Sequence, residues 1–380
     1  EDENLKSALN SYIGKDKYSI RGDKASGWVV TIKEKENEKK FKIDSNGKID
    51  DGTLPKGEGT TPYLPDTTKF EKVDGTDLTT GLVIKDNVGN EYVWVEVPKT
   101  SEVYPTAGTK ITSFGTDEYS KIETDLHTYT KDYRNGTSHK DVYYPDDTTG
   151  WFTDADKYYE LKKKMLKSVY EHGGFWVGRY EAGIEKEADI RKAASATATL
   201  TPVTKQNMYP YTYVTRTQAK VLAEQVESGN CTSSLMFGVQ WDLVLKYIEK
   251  KGKATVKELT ENSTLKGNYE NNQWNIQNTK AKYSKNGGNS YTACPYPKQS
   301  TSETVLLTTG ASESFSMMNI YDIAGNVEEW TLERAYDNFQ FAYRGGECYY
   351  SGSRYPANYR GYKGTSGNSS YDLGFRLSLY

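Results

Sequence analysis

Hydrophobic positions divide this chain into short periodic blocks separated by long polar stretches. Leu5, Leu9, Tyr12 and Ile13 recur at helical spacing and predict the end of an amphipathic helix. Tyr18 and Ile20 suit a short strand. Trp28, Val30 and Ile32, then Phe41 and Ile43, alternate with their neighbours as half-buried strands do, and Ser45-Asn46-Gly47 marks a turn. Leu82-Val83-Ile84 and Tyr92-Val93-Trp94-Val95-Glu96-Val97, separated by Asp86 to Asn90, read as a hairpin. Residues 101–150 show little periodicity and are expected to be long loops with an occasional short strand. Asp154 to His172 predicts a helix that stops at Gly173-Gly174. Phe175 to Glu181 reads as a strand. Thr215 and Gln218 have capping-box spacing and open a helix carrying Ala219, Leu222 and Val226. A further helix runs from Phe237 to Lys250, with Trp241, Leu245 and Ile248 on one face, and residues 251–316 are again mostly loop.

These blocks suggest a small unit over residues 1–50, a Gly-, Pro- and Thr-rich linker over 51–78, and one large α+β domain over 79–380. The chain of 380 residues is long enough for a substantial core. Its mean hydropathy is −0.81, yet 13% of it is aromatic, which excludes a disordered chain. Tyr outnumbers Phe 32 to 10, a bias that suits wet surfaces and binding sites better than sealed cores. The net charge is −3 with no long basic stripe, so nucleic acid is not an expected partner. No apolar run approaches the roughly 18 residues that a membrane span needs. The chain opens EDENLKSALN without an initiator Met and reads as trimmed, so the lack of a targeting segment says nothing about location. Cys231, Cys294 and Cys348 could form one disulfide but no cysteine framework, and the three histidines fall in no metal-ligand spacing. Lys162-Lys163-Lys164 reads as a solvated helix face.

The last 60 or so residues are more specific. Tyr321-Asp322-Ile323-Ala324-Gly325-Asn326-Val327-Glu328-Glu329-Trp330 precedes Arg344-Gly345-Gly346 and then Gly374-Phe375-Arg376. This ordered set, with Phe175 to Gly183 and Gln240-Trp241-Asp242 upstream, resembles the signature of the formylglycine-generating-enzyme family over roughly residues 80–380. The resemblance implies a C-type lectin-like fold: two helices, a small twisted antiparallel sheet and long structured loops. The glycines are expected where φ is positive or backbones approach closely. Arg376 is expected to donate to buried carbonyls or a carboxylate. The first 50 residues, a helix end followed by a small sheet, resemble the globular head of a type IV pilin whose long hydrophobic helix has been removed.

In the oxidase members of the resembled family, two cysteines shortly after the Gly-Gly pair bind copper and perform the chemistry. Here that stretch reads Gly345-Gly346-Glu347-Cys348-Tyr349-Tyr350-Ser351-Gly352-Ser353-Arg354, with one cysteine and no second sulfur nearby. The chain is therefore expected not to be an enzyme and not to bind copper. The resemblance also implies a structural Ca²⁺ held by Asp322, the backbone of Gly325 and Val327, and Glu329. The alternative is that Asp322 and Glu329 merely cap a buried turn.

Between Gly346 and Gly374 the chain is dominated by Tyr, Ser, Asn, Gly and Arg, the vocabulary of antibody-like paratopes. The segment resembles the variable region of proteins diversified by retroelements that mutate adenines. Tyr349, Tyr350, Ser351, Ser353, Tyr355, Asn358 and Tyr359, joined by Tyr336 and Asn338, are the expected ligand-binding residues; the alternative is that these tyrosines fill a loop-rich fold. The expected function is that of a bacterial surface or pilus-associated adhesin, outside the cell, with a protein or glycan ligand and other pilin subunits as the partners to consider. Membrane attachment would run only through the removed N-terminal helix. The alternatives are an oxidase of the same fold and a purely structural minor pilin.

Overall fold

The computed structural model describes residues 3–34, 37–43, 47, 49–134, 139–146, 148–193, 198–335, 341–363 and 369–380. Ser45 and Asn46 of the expected N-terminal turn lie outside them, as do Tyr336 and Asn338. The class is mixed α+β, with several small sheets.

At the N-terminus, the helix Glu3–Tyr12 lies against a four-stranded antiparallel sheet of Tyr18–Asp23, Gly27–Glu34, Asn37–Ile43 and Ile49–Asp50. Its apolar stripe explains the packing. Leu9 is buried with Trp28, Val30 and Ile43, and Leu5, Ile13, Tyr18, Ile20 and Phe41 close around them. This cluster is separate from the main core.

The main core surrounds a six-stranded sheet. In spatial order it contains Ser233–Leu235, Leu377–Leu379, Gly174–Gly178, Glu91–Glu96, Val83–Asp86 and Phe70–Lys72, every pair antiparallel. The expected hairpin forms its centre, where Trp94 meets Trp176 edge-on at 5.0 Å. The helices at 154–172, 215–224 and 237–250 occur as the sequence suggests. Asp154 caps Ala155–His172, which ends at Gly173 with φ of 70°. Thr215 and Gln218 complete the capping box of Arg216–Glu224. Gly238–Lys250 is buried along most of its length.

The expectation of loops over residues 101–150 is wrong in one place. Thr116–Tyr129 is a helix, followed by the short turn Lys131–Arg134. Ile122 and Leu126 are buried one turn apart, and Glu118 accepts the N–H of Gly115 at 2.9 Å. The N-cap glycine has no side chain to announce the helix, which is why the signal was faint.

A second sheet carries the C-terminal motifs. Its order is Arg360–Lys363, Phe341–Arg344, Glu328–Trp330 and Leu373–Phe375, and only the last pair is parallel. Leu373–Phe375 and Leu377–Leu379 are separated by one residue, Arg376, so the chain passes from this sheet into the middle of the six-stranded one. Among the described residues, no helix is long and apolar enough to cross a membrane.

Candidate functional site: the tyrosine-rich surface after Gly346

The motif residues serve the scaffold. Arg376 is buried, donates to both Glu329 oxygens at 2.7–3.2 Å, and reaches the carbonyls of Gly178 at 3.0 Å and Tyr321 at 2.8 Å. The fork thus joins the sheets at the residue between them. Arg344 is bound to Asp242 at 2.7 Å and Glu333 at 3.3 Å, and Arg360 to the same pair at 2.5 and 3.1 Å. Gly325, Gly345 and Gly346 have φ of 73°, 96° and 72°, as expected. A Cβ at Gly346 would run into the carbonyl of Tyr355, so this glycine lets the tyrosine-rich segment close onto the motif.

Of the side chains expected to hold calcium, Glu329 and Asp322 already have protein partners. Glu329 gives both carboxylate oxygens to Arg376. Asp322 Oδ2 accepts the Gly310 N–H at 2.7 Å. The Glu329 carboxylate is thus matched to a guanidinium. A different set converges elsewhere: ligand atoms of Glu123, His127 and Asp141 lie within 4.8 Å of one another. There Lys162 Nζ already sits 2.9 and 3.0 Å from the Glu123 oxygens and 2.8 Å from the Asp141 carbonyl. Lys162 is thus a buried partner and not part of a solvated face. The Asp141 carboxylate accepts the N–H groups of Gly238 and Val239 at 2.7 and 3.0 Å, capping the helix that carries Asp242.

The segment after Gly346 is built differently. Its backbone is fixed from one side by residues 259–271. The Glu270 N–H donates to the Tyr350 carbonyl at 3.1 Å, and the Gly352 N–H to Asn271 Oδ1 at 3.1 Å. The Ser263 N–H donates to the Gly352 carbonyl at 2.9 Å, and the Ala357 N–H to Ser263 Oγ at 2.9 Å. The Asn358 N–H reaches the Leu259 carbonyl at 3.0 Å. A Cβ at Gly352 would strike Thr264, so the two chains touch backbone to backbone.

The side chains on the outer side form a continuous run of rings. Tyr349 meets Tyr350 edge-on at 5.0 Å, Tyr350 meets Tyr355 at 4.4 Å, and Tyr355 stacks on Tyr359 at 3.9 Å. Tyr359 in turn meets Tyr343 at 6.4 Å, and Tyr343 meets the buried Trp330 at 5.8 Å. The run starts at Tyr349, 49% exposed, and ends in the core. Ser353 is exposed and its hydroxyl lies 3.1 Å from that of the half-buried Ser351.

Seven of the nine expected binding residues can be placed, and they fall into three layers. Tyr349, Tyr350, Ser351, Ser353 and Tyr355 are presented outward. Tyr359 supports Tyr355 from beneath, and its carbonyl accepts Arg344 Nε at 3.2 Å. Asn358 is a correction: it is 3% exposed, and its carbonyl accepts Arg344 Nη2 at 3.4 Å. Its place in a polar loop suggested a surface role, but the turn directs it inward. Two exposed residues were missed. Arg354 lies over the rings of Tyr350 and Tyr355, 4.7 and 5.5 Å from their centroids. Tyr362 is 42% exposed on the edge strand Arg360–Lys363. Alternation along that strand would not have found Tyr362, since Arg360, two residues earlier and so on the same face, is buried.

All three cysteines are free thiols. Cys348 is fully buried, and its thiol is pushed well up by burial and by the charges of Glu347 and Asp372. That environment is the opposite of one that activates a thiolate. Compared with models of known protein families and with curated protein sequences, the chain matches none.

Proposed function

We propose that this chain is a ligand-binding protein whose outward tyrosine, serine and arginine side chains at 349–355 form the binding surface. In this reading the scaffold is a C-type lectin-like domain of the formylglycine-generating-enzyme type that has lost the enzyme's chemistry. The protein works outside a bacterial cell, on the surface or on a pilus, with the pilin-like N-terminal unit as its attachment side. The ligand is a protein or a glycan.

One observation carries the reading. The backbone of this segment is tied down by Leu259, Ser263, Glu270 and Asn271, while the outer side chains of Tyr349, Tyr350, Ser353 and Arg354 touch mainly their own neighbours in the segment. A rigid backbone keeps the ordering cost of binding low, and side chains without structural duties are free to be chosen for contact. The rings are contiguous, which favours binding over a purely structural subunit. The buried, protonated Cys348 speaks against the oxidase alternative. The same freedom suits a segment diversified by a retroelement.

Sequencing the gene and its downstream DNA from sibling isolates tests this. Substitutions should gather at codons 349, 350, 351, 353 and 355, at adenines of a near-copy beside a reverse-transcriptase gene. Arg344, Gly345, Gly346 and Arg376 should stay fixed. Variation spread evenly over exposed residues of the whole domain would sink the diversification reading. Loss of folding, and not of binding, on replacing Tyr349, Tyr350 and Tyr355 by Ala would sink the binding surface itself.

A further inference from the structure

Near the tyrosine surface lies a group of carboxylates that the scaffold satisfies only in part: Asp372 Oδ1 accepts the Ser370 hydroxyl and Glu347 Oε2 the Tyr349 N–H. Glu328 and Trp330 share one face of their strand, while Glu329 points the other way to Arg376. Glu328 therefore lies on the same side as the Trp330–Tyr343 ring pair. Two chain segments meet it there. Its N–H donates to the Asp372 carbonyl at 2.7 Å, which brings in the strand end carrying Asp372. The Cys348 N–H donates to the Asn326 carbonyl at 3.2 Å, which brings in the loop carrying Glu347.

Glu347 is 1% exposed, and only one of its oxygens is used. Oε2 accepts the N–H of Tyr349, while Oε1 is buried without a partner. An unmatched carboxylate oxygen in such a place is costly, and natural proteins keep few of them. The three acids act on one another: Glu347 and Asp372 both push the Glu328 carboxyl up, beyond the effect of its own burial. Burial and Asp372 likewise push Glu347 up to about 8. Glu270 also faces Glu347, and the N–H groups of Tyr349 and Tyr350 partly offset these effects. Lys363 is the cation acting on Glu328, and it forms no ion pair among the described residues. Its ammonium lies instead over the Tyr343 ring, 5.4 Å from the centroid.

Tyr343 packs on Trp330, on the strand face that carries Glu328, and Tyr359 meets Tyr343; Tyr371 packs beside Cys348, and the Tyr349 N–H donates to Glu347 Oε2. Tyr371 and Asp372 are half-exposed and give this group its way out to solvent. Aromatic faces around carboxylates are the surroundings that hold an ammonium or guanidinium group. A bare metal ion needs carboxylate oxygens that converge. Among the described residues, the cluster of converging acid and histidine ligands is the distant Glu123, His127 and Asp141.

We infer that Glu328, Glu347 and Asp372, bordered by Tyr343, Tyr349, Tyr359 and Tyr371, receive an organic cation of the ligand, an ammonium or guanidinium group. This deepens the binding reading above and rests on it. The cation completes Glu347 Oε1, offsets the repulsion among the three acids and stacks on the rings, so charge and surface act together. The source is either a basic side chain of a protein or an amino sugar.

The test titrates the intact chain with N-acetyl-arginine amide, N-acetyl-lysine amide, glucosamine and the uncharged N-acetyl-citrulline amide, following tyrosine ring resonances by NMR. A cationic probe should saturate with shifts at Tyr343, Tyr349, Tyr359 or Tyr371, and citrulline should not. Binding should weaken about tenfold in Glu347→Gln, the loss of one charge-assisted contact of ~1.4 kcal/mol. Saturation by the amino acid derivatives alone assigns a protein source, and by glucosamine a glycan source. The inference is overturned if no cation saturates, if citrulline binds as well, or if Glu347→Gln binds like the parent. Glu347→Gln replaces a buried carboxyl by a neutral group of the same shape and should fold at least as well, so its thermal midpoint guards against misreading an unfolded variant. Failure here with intact adenine-directed variation leaves the binding surface standing; failure of both removes the whole reading.

Discussion

Arg344 and Arg360 stand directly opposite each other on adjacent antiparallel strands, and both reach the same two carboxylates, Asp242 and Glu333. Two cations at a paired position repel, so the arrangement holds only because two buried anions lie between them. Arg134 adds a weaker contact to Asp242 at 3.5 Å. Burial alone would raise the Glu333 carboxyl, but Arg360 and Arg344 outweigh it and hold it at about 2.

Removing one member leaves the others buried and unmatched. Asp242→Asn and Arg344→Ala should each lose about 3–5 kcal/mol of folding stability. Arg354→Ala, exposed over the rings of Tyr350 and Tyr355, should lose no more than about 0.5 kcal/mol. Urea unfolding of the three variants checks this. Equal midpoints for Arg344→Ala and Arg354→Ala would mean that the network does not hold the domain together.

Much of the scaffold was legible in the sequence because its signals are local. Caps at Asp154 and Thr215, the stop at Gly173 and the alternation of Tyr92 to Val97 each act over a few residues. Gly325, Gly345 and Gly346 were legible too, since a left-handed backbone needs them. The partners of Arg344 were not. Asp242 lies 102 residues away in the chain, and nothing local ties the two together. The burial of Asn358 was hidden for the same reason, because the segment that holds its backbone is at Leu259. The acidic floor escaped notice because Glu328 sits inside a motif and reads as part of it.

Stability should fall as pH rises from about 4.5 to 8. Glu347 is raised to about 8 in the fold, by burial first and Asp372 next, against an unfolded value of ~4.3. Between those values the folded chain keeps a proton that the unfolded chain releases, so raising the pH favours unfolding. Asp322, raised to about 7 mainly by burial, acts in the same direction. Glu333 acts oppositely: its contribution is present above the unfolded value and is lost as pH falls through about 2. His127 and His139, lowered to about 4 mainly by burial, oppose this decline below their unfolded value of ~6.5, so thermal midpoints should fall most clearly between about pH 6.5 and 8. Glu347→Gln should flatten the alkaline side without abolishing its slope. An unchanged slope would show that Glu347 is not the buried acid described here.

Calcium offers a sharper check on the motif. Because Arg376 takes both oxygens of Glu329, neither EDTA nor millimolar CaCl₂ should move the thermal midpoint. Arg376→Ala should be strongly destabilising, by about 3–5 kcal/mol, in both conditions. A midpoint that falls with EDTA and recovers with CaCl₂ would restore the ion at Asp322 and Glu329 and displace the guanidinium from its assigned role.

The ring run should show a gradient from surface to core. Tyr349→Ala removes a side chain that is half exposed and should change stability by no more than about 0.5 kcal/mol. Tyr359→Ala removes the ring between Tyr355 and Tyr343 and should cost about 1–3 kcal/mol, less than a fully buried aromatic. Tyr355→Ala should fall between them. Since Tyr355 and Tyr359 stack at 3.9 Å, their double-mutant cycle should show coupling of about 0.5–1.5 kcal/mol. The pair Tyr349 and Tyr359 should be additive. The gradient matters for function, because the outer rings can be exchanged only if the inner ones carry the stability. If Tyr349→Ala cost as much as Tyr359→Ala, the outer layer would be part of the core. The segment could then not serve as a surface whose side chains vary independently of the fold.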